Sequence, residues 1–201
     1  VIGRRGSLNG ILKVLGKQGH VAYPHKVENP IHRLAPALAE IVGTQWDAGN
    51  AHFPPTSFQV SNIHAGTGAN NVVPGECQVV FNFRFCTEST AASLRERLEA
   101  ILNKHALRYE IDWQLSGEPF LTRQGKLIEA AAIASSNISG VKPELFTGGG
   151  TSDARFISSY CPVIEFGLVG QTMHQIDERT PVADLEQLTR IYRGVLERYF
   201  A

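Results

Sequence analysis

The clearest hydrophobic pattern along the chain is CQVVFNFRFC at 77–86, where Val79, Phe81, Phe83 and Phe85 alternate with Gln78, Asn82 and Arg84. A period of two puts the apolar side chains on one face of a strand and the polar ones on the other. LRYEIDWQLSG repeats the device with Leu107, Tyr109, Ile111, Trp113 and Leu115, and SLNGILKVLG (7–16) and TSFQVSNIH (56–64) predict two further strands. The period changes in NPIHRLAPALAEIVG (29–43), where Ile31, Leu34, Leu38 and Ile41 follow helical spacing. That helix is expected to end on Gly43 as a C-cap and to begin, or kink, near Pro36. TESTAASLRERLEAILNKHA offers a Ser/Thr cap and then a stripe of Ala91, Leu94, Leu98, Ile101 and Leu102, which predicts a second helix. The order is strand, helix, strand, strand, helix, strand. It fits a ferredoxin-like βαββαβ layer, an α+β arrangement with two helices on one sheet face.

The pattern changes after Gly117-Glu118-Pro119. A helix is predicted near 124–137, short strands near 143–147 and at PVIEFG (162–167), and a last helix from 183 with Leu185, Leu188, Tyr192, Val195 and Tyr199 on one side. Short apolar strands alternating with helices predict a buried α/β sheet. Two strands do not make such a sheet unaided, so this section is expected to be part of a larger domain. The opening VIGRRG, with no methionine and no element start, gives the same expectation.

Composition narrows the partners more than the fold. The 201 residues are 43% hydrophobic and 19% charged, with zero formal net charge. Without a run of cations there is no concentrated positive field for nucleic acid or an anionic membrane. No stretch approaches the roughly 20 apolar residues of a spanning helix. Cys77, Cys86 and Cys161 are odd in number and lack C-x-x-C spacing, which predicts a reducing compartment and no thiolate zinc site. With no charged-then-apolar leader, a cytoplasmic location is expected.

Four loops could carry chemistry. GKQGHVAYPH (16–25) sets His20 on a glycine-punctuated turn, with Tyr23 held extended by Pro24. HAGTGANNVVPGEC (64–77) places Asn70 and Asn71 between two strands, their amides able to meet a carboxylate or amide. TGGGTSDARF (147–156) has three glycines before a helix start, a turn whose N–H groups can converge on an anion, with Thr151, Ser152 and Asp153 as possible caps. GLVGQTMHQIDER (167–179) puts His174 just beyond a predicted strand, with Asp177 or Glu178 placed to orient its ring. Arg4, Arg5 and Arg84 could each take an anion bidentately. Each loop would equally serve as an ordinary connection, and there is no H-E-x-x-H or H-x-D pair.

Together and in order, GRRGSLNG, GKQGHVAYPH, ENPIHR, FPPTSFQVSNIHAGTGANNVVP, FNFRFCTE, SGEPFLT and TGGGTSDARFI resemble the co-catalytic zinc aminoacylase and carboxypeptidase superfamily. Within it they resemble the branch that hydrolyses N-succinyl-L,L-2,6-diaminopimelate to succinate and L,L-diaminopimelate. The resemblance implies a homodimer with two Zn2+ per complete subunit, Co2+ able to substitute, and a lid inserted in a catalytic domain. Residues 1–6 would end an N-terminal catalytic segment, 7–115 form the lid and dimerisation domain, and 116–201 complete the catalytic domain. His20 would reach into the partner's active site as an oxyanion donor, and His174 would bind zinc. Arg4, Ser7, Tyr23, Asn70, Arg84, Gly150 and Thr151 would contact substrate, and Asp153 and Arg155 would brace the glycine turn. The other zinc ligands and the general base lie upstream of the matched part, which implies an incomplete portion, inactive alone. Another deacylase of the superfamily, such as an acetylornithine deacetylase, and a non-catalytic dimerisation fragment stay open as alternatives.

Overall fold

A short strand β1 (Gly3–Arg4) precedes the ten-residue β2 (Gly6–Leu15). There follow β3 (Gly19–His20), α1 (Pro30–Gly43), β4 (Ser57–Ala65), β5 (Val72–Val73) and β6 (Glu76–Phe85). Then come α2 (Ala91–Lys104), β7 (Tyr109–Gly117), β8 (Phe120–Leu121), α3 (Lys126–Ser139), α4 (Ala154–Ile157) and α5 (Val182–Phe200). This computed structural model describes residues 1–150 and 152–201. They form two compact units, Arg5–Pro119 and Val1–Arg4 with Phe120–Ala201.

In the Arg5–Pro119 unit, four antiparallel strands lie in the order β4-β6-β2-β7. This is the βαββαβ arrangement the alternation predicts. The alternating face of β6 buries Phe81, Phe83 and Phe85 almost completely, against Leu8 and Leu12 of β2, Leu34 and Ile41 of α1, and Leu94, Leu98 and Leu102 of α2. Truncating one such phenylalanine to alanine costs about 3–5 kcal/mol. Two glycines in β2 make room for the rings. Gly10 and Gly6 stand opposite Phe81 and Phe85 in register, and a Cβ at either would fall 2.2 or 2.3 Å from the facing ring. The opposite sheet face, away from α1 and α2, is mostly polar, with Ser7, Asn9, Lys13, Gln78, Asn82 and Arg84 around the opposed pair Ile11 and Val80.

Two helix expectations change. α1 starts at Pro30, capped by the Asn29 side chain, and runs through Pro36. Pro36 and His32, whose carbonyl loses a donor, both lie on the exposed face, where water replaces the missing bond. The C-cap is Thr44, not Gly43: its hydroxyl donates to Glu40 O at 2.7 Å. α2 begins as predicted, with a Thr90–Ser93 capping box.

In the second unit α3 packs on α5, with Gly194 of α5 letting the Ala134 methyl approach to 3.3 Å of where a Cβ would stand. The buried centre of the α5 stripe is Ile191 rather than Leu185 or Tyr192, which are exposed. The strands expected at 143–147 and 162–167 do not form. Those segments make isolated bonds to the β1 end of the chain: Ile2 N–H to Phe146 O at 2.9 Å, and a reciprocal pair in which Glu165 N–H donates to Val1 O at 2.9 Å and Val1 N donates to Glu165 O at 2.7 Å. Pro143 and Pro162 each remove a donor, and isolated links do not make a ladder. Among the described residues no helix is long and apolar enough to cross a membrane.

Candidate functional site

The predicted residues fall into four groups. In the first, Ser7 and Arg84 are directly opposed across β2 and β6, with Ser57 of β4 on the other side of Arg84. Opposed residues share a face, so all three stand on the helix-free surface. Ser7 is buried, and its hydroxyl accepts from Asn82 Nδ2 at 3.0 Å. Asn82 also donates to Asn9 Oδ1 at 2.8 Å, and Asn9 donates to Ser116 Oγ at 2.9 Å. No carboxylate pairs with Arg84 among the described residues, which leaves its guanidinium free for an anion.

The second group sits on a two-stranded ribbon that neither periodicity announces. β3 pairs with β5, Gly19 opposite Val73 and His20 opposite Val72, and Val21 N–H donates to Asn71 O at 3.0 Å. Lys17 and Glu28 close the base of the loop with two backbone bonds, 2.8 and 3.0 Å. His20 and Tyr23 are thereby tied to the loop bearing Asn70, and all three are exposed. The His20 and Tyr23 rings lie 5.8 Å apart. Ala22 N–H donates to His20 Nδ1 at 3.1 Å. That bond needs a bare Nδ1, so the ring proton is on Nε2 and the imidazole presents an N–H outward.

The third group is the glycine turn. Gly148 has its Cβ position filled by the Phe146 ring at 2.3 Å, and Gly149, at φ +90°, has its own filled by Arg4 Nη1 at 2.5 Å. Gly150 has nothing within 4 Å of that position, so packing does not demand a glycine there. Thr151 lies outside the described residues. Arg4 is turned to Glu165 and to Gly148 O, the latter at 2.6 Å. Among the described residues the side-chain ties to this turn come from Arg4, Ser152 and Glu165, and none is shown from Asp153 or Arg155. Asp153 makes no cap bond on a helix of four residues, and the Arg155 guanidinium lies 4.7 Å from the Phe156 ring. A groove of about 670 Å³ in the same unit, lined by Arg123, Lys126, Tyr160 and Tyr199, contains none of the predicted residues.

His174 is the fourth. It is exposed, at φ +61°, with Asp177 at φ +62° three residues on. Two non-glycine residues in the left-handed region mark a constrained loop. The Glu178 carboxylate accepts from the His174 backbone N–H at 3.3 Å, so it does not orient the ring. Among the described residues no three His, Cys, Asp or Glu side chains gather to hold a metal ion. One histidine does not make a two-metal centre, and the donors present do not fit one.

A four-stranded antiparallel sheet with two helices on one face is a ferredoxin-like α+β layer. Residues 2–110 match the family model for the peptidase dimerisation domain, and the chain belongs to that family. Among curated proteins it is 57% identical over 197 residues to the succinyl-diaminopimelate desuccinylase of Thioalkalivibrio sulfidiphilus, covering 98% of this chain and 52% of that protein. It is 60% identical over 200 residues to the enzyme of the same name from Methylibium petroleiphilum, covering 99% and 52%. The chain thus spans about half the length of the curated relatives it matches. Among solved structures, aminopeptidase PepT from Bacillus cereus superposes with a TM-score of 0.83 at 19% identity, over 100% of this chain and 54% of that one. An M20 family metallo-carboxypeptidase from Sulfolobus solfataricus gives 0.79 at 16% identity, over 99% and 59%. These two likenesses bear on the fold alone.

Proposed function

We propose that the chain is part of an enzyme that hydrolyses N-succinyl-L,L-2,6-diaminopimelate to succinate and L,L-diaminopimelate. The observation that carries this is identity of 57–60% held over 97–99% of the chain with proteins named for that reaction. In this reading Arg5–Pro119 is the lid and dimerisation unit and Phe120–Ala201 belongs to the catalytic domain. Exposed Phe156, Tyr160, Val169, Ile176 and Phe200 support a unit that is part of something larger. The substrate contacts are Arg4, Ser7, Tyr23, Asn70, Arg84, Gly150 and Thr151. His20 serves the partner subunit's active site, its Nε2–H donating to the amide oxygen as negative charge develops there. His174 would be one ligand of a divalent metal pair, zinc or cobalt. The other ligands and the general base belong to the half of the relatives' length that this chain does not span. A cytoplasmic site of action fits the three unpaired cysteines.

A second copy of the chain is the proposed macromolecular partner. β4 is an edge strand with exposed Gln59 and residues 61–65, Ile63 among them at 51%, and such an edge is a template for another strand. Light scattering of the 201-residue chain should give a dimer; a monomer at micromolar concentration would count against the pairing. The activity is tested in the full-length protein by succinate release from the succinylated substrate against acetate release from N-acetylornithine. The first should dominate, and His20→Ala should lower kcat by about 100-fold. A preference for the acetylated substrate, or an unchanged kcat, would overturn the respective part.

A further inference from the structure

Glu165 lies in a segment whose sequence pattern is that of an apolar strand, yet its carboxylate is the junction of the glycine turn. Its side chain is 22% exposed. Arg4 meets it side-on, Nε lying 3.2 and 3.1 Å from the two carboxylate oxygens and Nη2 donating to Oε2. The Ser152 hydroxyl donates to the other oxygen, Oε1. From the far side of the same guanidinium, Nη1 donates to Gly148 O at 2.6 Å and fills the space over Gly149. One carboxylate therefore ties both ends of the turn, Ser152 directly and Gly148 through Arg4. Burial pushes the Glu165 carboxyl up, and the hydrogen bonds from Arg4 and Ser152 outweigh it and hold it below the usual carboxylate range.

The consequence for recognition follows from donor count. A guanidinium has five N–H donors, and Arg4 uses one each on Nε, Nη1 and Nη2 for these bonds among the described residues. The two left over are held in a fixed direction beside the turn. An arginine free to rotate loses that freedom each time it binds a carboxylate; one clamped beforehand does not.

We propose that Glu165 is a positioning residue for anion recognition: it fixes Arg4, Gly148 and Ser152 relative to one another, so that a ligand carboxylate meets donors already aligned, without touching that ligand itself. This rests on the reading of Arg4 and Gly150 as substrate contacts. In the full-length enzyme, Glu165→Gln keeps the size and removes the charge. KM for the succinylated substrate should rise roughly tenfold with kcat within about twofold, and the inhibition constant of free succinate should rise in step. Glu165→Asp, still able to pair with Arg4, should recover part of the loss. A folded Glu165→Gln enzyme with unchanged KM, assayed well below its melting temperature, overturns the proposal. Should that variant not fold, Ser152→Ala removes a single tie and should still raise KM about threefold; an unchanged KM there overturns it equally. Arg4→Ala separates the two levels. If it raises KM while Glu165→Gln does not, only the positioning role falls; if it leaves KM unchanged, the underlying substrate contact falls with it.

Discussion

Replacing Asp47 by asparagine would remove one negative charge from the loop between α1 and β4 and turn one of its two acceptor oxygens into an amide donor. Asp47 Oδ1 accepts from Gly49 N–H at 3.0 Å and Thr56 N–H at 2.8 Å, and Oδ2 accepts from the Ser89 hydroxyl at 2.6 Å. One carboxylate thus closes the loop and ties it to the start of α2. Burial pushes its pKa up, but the hydrogen bonds from Ser89, Thr56 and Gly49 outweigh it and bring the value from 3.8 to about 2. A folded-state pKa below the unfolded one stabilises the fold where the carboxylate is ionised. The contribution is full above the unfolded value of 3.8 and is lost as pH falls through about 2. Nearly two pH units at about 1.36 kcal/mol each set an upper figure of about 2.5 kcal/mol. Partial access to water brings the expected loss in Asp47→Asn to about 1–2 kcal/mol. Urea unfolding followed by tryptophan fluorescence reads it directly, because the adjacent Trp46 is buried against the core at 4% exposure. At pH 6 the variant should unfold at lower urea with an unchanged slope, and near pH 2 the two curves should converge. Equal midpoints at pH 6, or a gap undiminished at pH 2, would refute the charge as the cause.

Two further expectations concern glycines. Gly10→Ala drives a methyl into the Phe81 ring, which is walled by Phe58 at 5.1 Å and Trp113 at 5.4 Å; chemical denaturation should show a loss of about 1–3 kcal/mol, and a neutral result would mean the ring can move. Gly149→Ala, strained at φ +90° and facing Arg4, should lower the melting temperature of the chain, whereas Gly150→Ala, with open space above it, should leave it unchanged and raise KM in the full-length enzyme. Equal melting temperatures for the two variants would contradict the separation.

The Arg5–Pro119 fold was legible because each element carries its own amphipathic signal: the four alternating apolar residues of β6 need no neighbour to declare which face is buried. Elements without a period were not. β3 and β5 have two residues each, and what joins them is cross-chain pairing of Gly19 with Val73 and His20 with Val72. In PVIEFG the apolar run is real, but a strand is defined by its partners, and Val163 meets the Thr122 hydroxyl and Glu165 meets Val1 without a continuous ladder forming. Pro36 does not mark the start of α1, because the cost of a helical proline depends on whether the orphaned carbonyl can reach water, which residue order alone does not say.

For the candidate site, residue type announced the loops but not the pairings within them. Arg4 and Arg84 look alike in sequence as possible carboxylate clamps. In the structure Arg4 is neutralised by Glu165 and used to shape a turn, while Arg84 has no acidic partner among the described residues and stands beside Ser7 and Ser57. On the proposed reading of both as substrate contacts, attraction and alignment would be divided between them. Arg84 would supply uncompensated positive charge, which acts at a distance and weakens with salt. Arg4 would supply direction, which acts at contact. On that reading a substrate with several carboxylates would gain from both, whereas a singly charged one would gain mainly from the first. Raising ionic strength should therefore erode binding that depends on Arg84 more steeply than binding that depends on Arg4, and comparing the salt dependence of KM in Arg84→Ala and Arg4→Ala would separate the two contributions.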